Sequence, residues 1–415
     1  MNQIISSFIN NAALSNVVAS GIRVGSKSIW GLALPLLLAV DQYGYYSLVI
    51  ATAGIIVQVS VLGAPQVIMR SQDNVPLPAL VLHSFLIAAA GFIVIKIFTK
   101  YQDGYILLIA MVAALASYQI VSALVKKVMM FYIIMISEFA GAAVLFFSLI
   151  YIWFTRDNSA LSWPNLVLIE IISAAFMVFV LLIFFYTCKI SISKDIFIKN
   201  YFPAIYSIGL ISFIDIFVWK RMEIYFLQAS PSGIEGVAVF SLALMIYNAF
   251  IFIPNSVVEA WYPSIAAQYI SAAESFHIYI KEKIKKFAKI YSLFCVLSFP
   301  VIVLLLRLMF NSYLQWSGYI LILVGAALFF GCECFCSSVL YSTGHEKELY
   351  FPAVSGAAVA LVLNATITVR YGLNGVIFAY IITHGYIFVV LVKTFFKVYS
   401  VKRLSADVMN KSLGD

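Results

Sequence analysis

The chain has 415 residues, of which 63% are hydrophobic and only 11% charged, and its formal net charge is +8. A soluble fold of this length needs about a quarter of its residues charged, so a water-soluble globular protein is excluded, and a mean hydropathy of +1.01 makes lipid the solvent for much of the exterior. The positive balance then belongs to membrane topology rather than to nucleic acid.

A helical span needs about 20 mainly apolar residues. Twelve such runs follow one another, at about 14–38, 44–66, 78–99, 104–125, 130–154, 164–187, 201–228, 236–260, 288–310, 318–341, 352–370 and 373–395. They are too long, and alternate too little, to be lipid-facing barrel strands. The polar N-terminus lacks a basic n-region and a cleavage site, so the first span is read as an uncleaved anchor. With that terminus in the cytoplasm, 17 of the 26 Lys and Arg fall on the inner side, five on the outer side and four within spans. This bias sets both ends inside, with an even number of spans. The outer loops are short, which leaves no room for the large outer loop of a membrane glycosyl polymerase or ligase.

The first span carries Asn16, Ser20, Arg23 and Lys27 at spacings of four, three and four, which place all of them on one helical stripe. Gly21 and Gly25 form a G-x-x-x-G motif around Arg23, a pattern that permits close helix approach. An ionisable side chain within a span costs about 2.5–3.5 kcal/mol on insertion scales and usually faces a bundle interior or a wet cavity. Two cations with no acid in the same helix suit an anionic ligand such as a phosphate or an acidic sugar. The alternative has both snorkelling to the inner headgroups.

Glu138 lies in the fifth span and Glu170 in the sixth; a basic link at 188–200 then divides the spans into two sets of six. In the seventh span Ser212, Asp215, Trp219 and Glu223 share a face, Lys220 meets Glu223 three residues on, and Arg221 points elsewhere. Asp215 either pairs with Arg23 across the halves or binds a proton or sodium ion. Glu259 sits near the inner end of the eighth span, and Glu333 is central in the tenth. A carboxylate in a low-dielectric site can take up and release a proton. The stretch opening the eighth span, "IEGVAVFSLALMIYN", weakly echoes "QYGYYSLVIATAG" in the second, and paired six-helix halves are a transporter pattern.

The longest inner loop, about 264–287, contains "HIYIKEKIKKFAKI", with Ile280, Ile284 and Phe287 on one helical face and Lys281, Lys285 and Lys289 on another. It reads as an interfacial amphipathic helix or as a topology-retaining loop. Cys332, Cys334 and Cys336 diverge around a helix and read as small apolar residues rather than metal ligands. There is no P-loop, dinucleotide-binding glycine run or H-E-x-x-H, so no cofactor is implied and ATP is not a direct energy source within this chain.

The segments "DQYGYYSLVIATAGIIVQVSVLGAPQVIMR" at 41–70, "GVAVFSLALMIYNAFIFIPNSVVEAWYPSIA" at 236–266 and "STGHEKELYFPAVSGAAVALVLNATITVRYGLNGVIFAYIITHG" at 342–385 resemble the Wzx-type O-antigen flippases of the multidrug/oligosaccharidyl-lipid/polysaccharide (MOP) superfamily. The resemblance implies an all-α integral membrane protein with about 12 spans in two six-helix lobes around a central cavity. The lobes would be residues 1–187 and 201–396, with a cytoplasmic tail at 397–415. It further implies an inner-membrane transporter, not an enzyme, that flips an undecaprenyl-pyrophosphate-linked oligosaccharide using a proton or sodium gradient, with a polysaccharide polymerase and a chain-length regulator as partners. Arg23, Lys27, Lys220 and Arg221 would line the substrate cavity. Asp215, Glu138 and Glu333, with Glu223 on the Asp215 face, would couple the ion. The rival readings are a multidrug exporter of similar architecture, a polysaccharide polymerase and a structural protein.

Overall fold

The computed structural model describes residues 12–61, 64–65, 105–127, 130–155, 162–187, 222–248, 265, 268–269, 273–343 and 345–399. These residues are almost entirely helical, and six helices among them are long and apolar enough to cross a membrane. The chain divides into two compact units, Met1–Arg221 and Met222–Asp415. The sequence-predicted third span and linker, and most of the seventh span, lie outside the described residues.

In the first unit, α1 (Ala12–Leu37), α2 (Val40–Val61), α3 (Tyr105–Lys127), α4 (Phe131–Thr155) and α5 (Trp163–Thr187) follow the apolar runs closely. Asp41 opens α2, where a negative charge complements the helix N-terminus. The Ser162 carbonyl accepts from the backbone N–H groups of both Asn165 and Leu166 to start α5, and Pro164 in that first turn has no intrahelical donor to lose. The core joins Ala19, Tyr118, Ile133, Ala174, Met177 and Leu181, drawn from α1, α3, α4 and α5. The opposite faces are apolar too. Phe139, Phe146, Phe147 and Phe154 stand exposed on α4, as the lipid side of a span requires.

Two reciprocal hydrogen bonds tie α4 to α5: Ser137 Oγ donates to the Met177 carbonyl and Ser173 Oγ to the Gly141 carbonyl, each at 3.0 Å. A side chain at Gly141 would stand 2.6 Å from Met177 Cγ, so the glycine sets how closely the helices approach. Small residues and hydroxyls commonly join membrane helices in this way. The seam fixes Glu138 and Glu170, which lie one and three residues from its two serines.

The second unit contains α6 (Met222–Gln228), α7 (Gly233–Asn248), α8 (Ala273–Leu308), α9 (Ser317–Gly325), α10 (Ala327–Ser342), α11 (Tyr350–Leu363) and α12 (Val369–Val398). Helix α8 corrects the sequence reading. The amphipathic stretch and the ninth span, expected to start near 288, are one helix of 36 residues, about 54 Å long against a hydrocarbon layer of about 30 Å. Ile280 and Phe287 are buried while Lys281, Lys285 and Lys289 are exposed, so the predicted faces hold although the predicted break does not. Between α11 and α12 the chain passes through a π-helical turn, Asn364–Thr368, in which Asn364 Nδ2 donates to the Ala360 carbonyl and Thr368 Oγ1 to Asn364 Oδ1. The break predicted near 371 is a kink at Gly372, whose φ of 58° suits a residue without Cβ. The Leu373 N–H freed there donates to Ser232 Oγ.

Candidate functional site

The cationic stripe of α1 turns into the first unit. One helical repeat beyond Lys27 it continues as Trp30 and Leu34, both buried, so the face bearing Arg23 and Lys27 is the packing face. Both cations reach acids of the same unit. Arg23 Nη1 lies 3.7 Å from Glu138 Oε1 on α4, and Lys27 Nζ lies 2.6 Å from Glu170 Oε2 on α5. A tyrosine serves each carboxylate from another helix. Tyr118 on α3 donates to Glu138. Tyr46 on α2 donates to Glu170 and accepts from Trp30 Nε1 at 3.0 Å. Lys126 at the end of α3 acts electrostatically on both Arg23 and Glu138.

The two pairs differ in kind. At 2.6 Å the Lys27 ammonium donates directly to a carboxylate, a charge-assisted hydrogen bond. At 3.7 Å the Arg23 guanidinium is in Coulombic but not hydrogen-bonding contact, and its side chain is 46% exposed while that of Glu138 is 3% exposed. Arg23, Lys27, Gln58, Gln119 and Glu138 line a cavity of about 240 Å3 within this unit, with apolar walls from Leu115, Leu145 and Met177. Polar groups converging in an otherwise apolar hollow have the composition of a binding site.

Of the remaining sequence-predicted site residues, Asp215, Lys220 and Arg221 lie outside the described residues, as does Glu259. Arg23 therefore has Glu138 as its observed partner. Two observations concern α1. The cations that lack an acid on their own helix are met by acids from α4 and α5. No described atom comes within 4 Å of where a Cβ would stand on Gly21 or Gly25, so the G-x-x-x-G pattern makes no close helix contact among the described residues.

Glu223 and Glu333 are both buried in the second unit. Glu333 on α10 lies 3.2 Å from Nδ1 of His384 on α12, itself buried. The Tyr380 ring stands 4.4 Å from the imidazole, and Tyr247 and Phe330 close the aromatic surround. Glu223 on α6 is within electrostatic reach of His384, and its Oε2 meets no hydrogen-bond partner among the described residues. Sequence reading missed His384. The signal was present, since a histidine within a span is as costly as the carboxylates that were singled out. Cys295, Cys332, Cys334 and Cys336 form no disulfide among the described residues, and no group of three metal-ligating side chains occurs among them.

No protein-family model matches the chain, and no curated protein matches it by sequence. Solved structures do. The lipid II flippase MurJ, in an inward closed conformation, is similar with a TM-score of 0.64 and 14% identity, over 95% of this chain and 93% of that one. An inward-facing multidrug resistance MATE family transporter of the MOP superfamily gives 0.59 and 16%, over 94% of each chain. A eukaryotic MATE transporter gives 0.56 and 12%, over 96% and 98%. The fold is that of the MATE and MurJ transporters. With its long apolar helices, this makes the chain a multi-pass, all-α membrane protein.

Proposed function

We propose that the protein flips a lipid-linked oligosaccharide with an anionic head, of the undecaprenyl-pyrophosphate type, across the inner membrane by ion-coupled alternating access. The observation that carries this reading is Arg23, a half-exposed guanidinium lining a largely apolar cavity, with Lys27 and Lys126 close by. A planar guanidinium matches a phosphate with paired hydrogen bonds. The polyprenyl tail stays in lipid. Lys220 and Arg221 are assigned to the same anion from sequence. Glu333 with His384, and Glu223 beside them, are assigned to the coupling ion together with Asp215. An ion shifts the carrier only through different affinities for its two states, and a buried carboxylate whose partner is itself titratable provides such a difference. Both termini lie in the cytoplasm, and a polymerase acts on the flipped unit outside.

Deletion followed by lipid analysis tests this reading. Single undecaprenyl-linked repeat units accumulate on the cytoplasmic face if it holds. Unpolymerised units on the outer face would instead indicate a polymerase, and no accumulation would refute a role in this lipid's path.

One observation favours a second reading, export of organic cations. The second unit sets Glu223 and Glu333 beside Tyr247, Tyr380 and Phe330, and acids with aromatic faces attract cationic ligands. Increased sensitivity to quaternary ammonium compounds on deletion, with normal surface polysaccharide, would select it.

A further inference from the structure

We propose that Glu138 and Glu170 are internal stand-ins for the substrate's phosphates, neutralising Arg23 and Lys27 between transport events, and that Glu138 is the one an incoming anion displaces. This rests on the reading of Arg23 as the anion site. Helix α1 brings two cations into an apolar unit with no acid in its own described sequence. Charges out of water need partners, and α4 and α5 each supply a carboxylate from a buried position. Each carboxylate is held from behind by a tyrosine hydroxyl. The acids are thus presented to the cations much as two phosphate oxygens would be.

The unequal geometry decides which pair exchanges. Lys27 is engaged at hydrogen-bonding distance, whereas Arg23 stands 3.7 Å from Glu138, with Tyr118 also beside it, and remains half-exposed, so its exposed side can take another anion. Glu138 is not stranded by the exchange, because Tyr118 still donates to it and Lys126 remains within electrostatic reach. Among the described residues three cations, Arg23, Lys27 and Lys126, act on Glu138 and Glu170, a balance that favours a further anion. The cavity of about 240 Å3 is below the roughly 300–1,000 Å3 of pockets that enclose drug-sized ligands. It takes a phosphate-sized head and leaves the sugars elsewhere. A carrier that alternates must also return unloaded. With the carboxylate in place of the phosphate, the cations enter that return step already paired, so removing Glu138 tightens binding and slows turnover.

The test uses the full chain in lipid nanodiscs, titrated calorimetrically with inorganic pyrophosphate and with farnesyl pyrophosphate. Glu138→Gln is expected to bind both about tenfold more tightly than wild type, and Arg23→Ala to lose binding, in keeping with the cost of leaving one partner of a charge pair alone. Reconstituted into vesicles, Glu138→Gln turns over more slowly despite its affinity, a split that a merely structural ion pair does not produce. Should Glu138→Gln not fold, Glu138→Asp, which lengthens the pair, carries the same expectation at about threefold. Unchanged or weaker binding by the Glu138 variants, with binding lost in Arg23→Ala, overturns the stand-in role and leaves the anion site standing. Unchanged binding in Arg23→Ala overturns the anion site itself. Tighter binding of farnesyl than of inorganic pyrophosphate supports a lipid-borne anion; equal binding supports the stand-in role with a free phosphate as ligand.

Discussion

In the first unit both buried carboxylates, Glu138 and Glu170, face a permanent cation and a tyrosine hydroxyl, whereas in the second unit Glu333 faces a histidine and Glu223 Oε2 meets no hydrogen-bond partner among the described residues. The contrast separates two ways of keeping charge inside an apolar bundle. In the first unit each of these carboxylates is paired with a lysine or arginine, whose charge is the more permanent one. Histidine is the side chain whose charge changes most readily near neutral pH, and the second unit sets one beside Glu333. On the proposed reading, the first unit would sense the ligand and the second the ion.

The largest expected effect breaks the first side of that comparison. Arg23→Ala, assayed by surface polysaccharide in the deletion background, is expected to lower display at least about tenfold, because a half-exposed cation contributes less than the roughly 2–5 kcal/mol of a buried hydrogen-bonded charge. Arg23→Lys should recover only part of this, because an ammonium lacks the planar fork. Next, Glu333→Gln and His384→Gln should each reduce gradient-driven transport about tenfold, within the usual range of a coupling free energy. Pyrophosphate binding should change less than twofold if the two sites act independently. Loss of binding in these variants would merge the two roles. Third, Glu170→Ala leaves Lys27 without its carboxylate. Because Lys27 is 39% exposed, the loss is expected at about 2 kcal/mol, below that of a fully buried pair, read as a lower unfolding midpoint in detergent. Smallest is Gly141→Ala, whose methyl meets Met177. It should cost about 1 kcal/mol by overpacking the α4–α5 seam and weaken both carboxylate positions together.

The helices of the first unit were legible because lipid imposes length and apolarity residue by residue. The predicted span 164–187 and the observed Trp163–Thr187 differ by one residue. Helix α8 was legible only in part. Its N-terminal half carries lysines, so an apolar-run criterion stops there, although the period-four pattern of Lys281, Lys285 and Lys289 continues unbroken into the span. The cations of the site were legible because Arg23 and Lys27 violate the composition of their own helix. Their partners were not, because pairing Arg23 with Glu138 and Lys27 with Glu170 requires the packing of α1 against α4 and α5, and many arrangements satisfy the same charges. Tyr118 and Tyr46 are two of 25 tyrosines, and nothing local distinguishes a tyrosine that donates to a buried carboxylate from one that sits at the lipid interface.

Purified wild-type protein and Arg23→Ala, reconstituted into vesicles carrying a fluorescent polyprenyl-pyrophosphate oligosaccharide, place the account under its most direct test. The quantity measured is the rate at which the labelled head becomes accessible on the opposite face. The account predicts movement by wild type under an ion gradient and a rate equal to protein-free vesicles for Arg23→Ala. Equal rates for the two proteins, or transport of an organic cation with no movement of the labelled lipid, would contradict it.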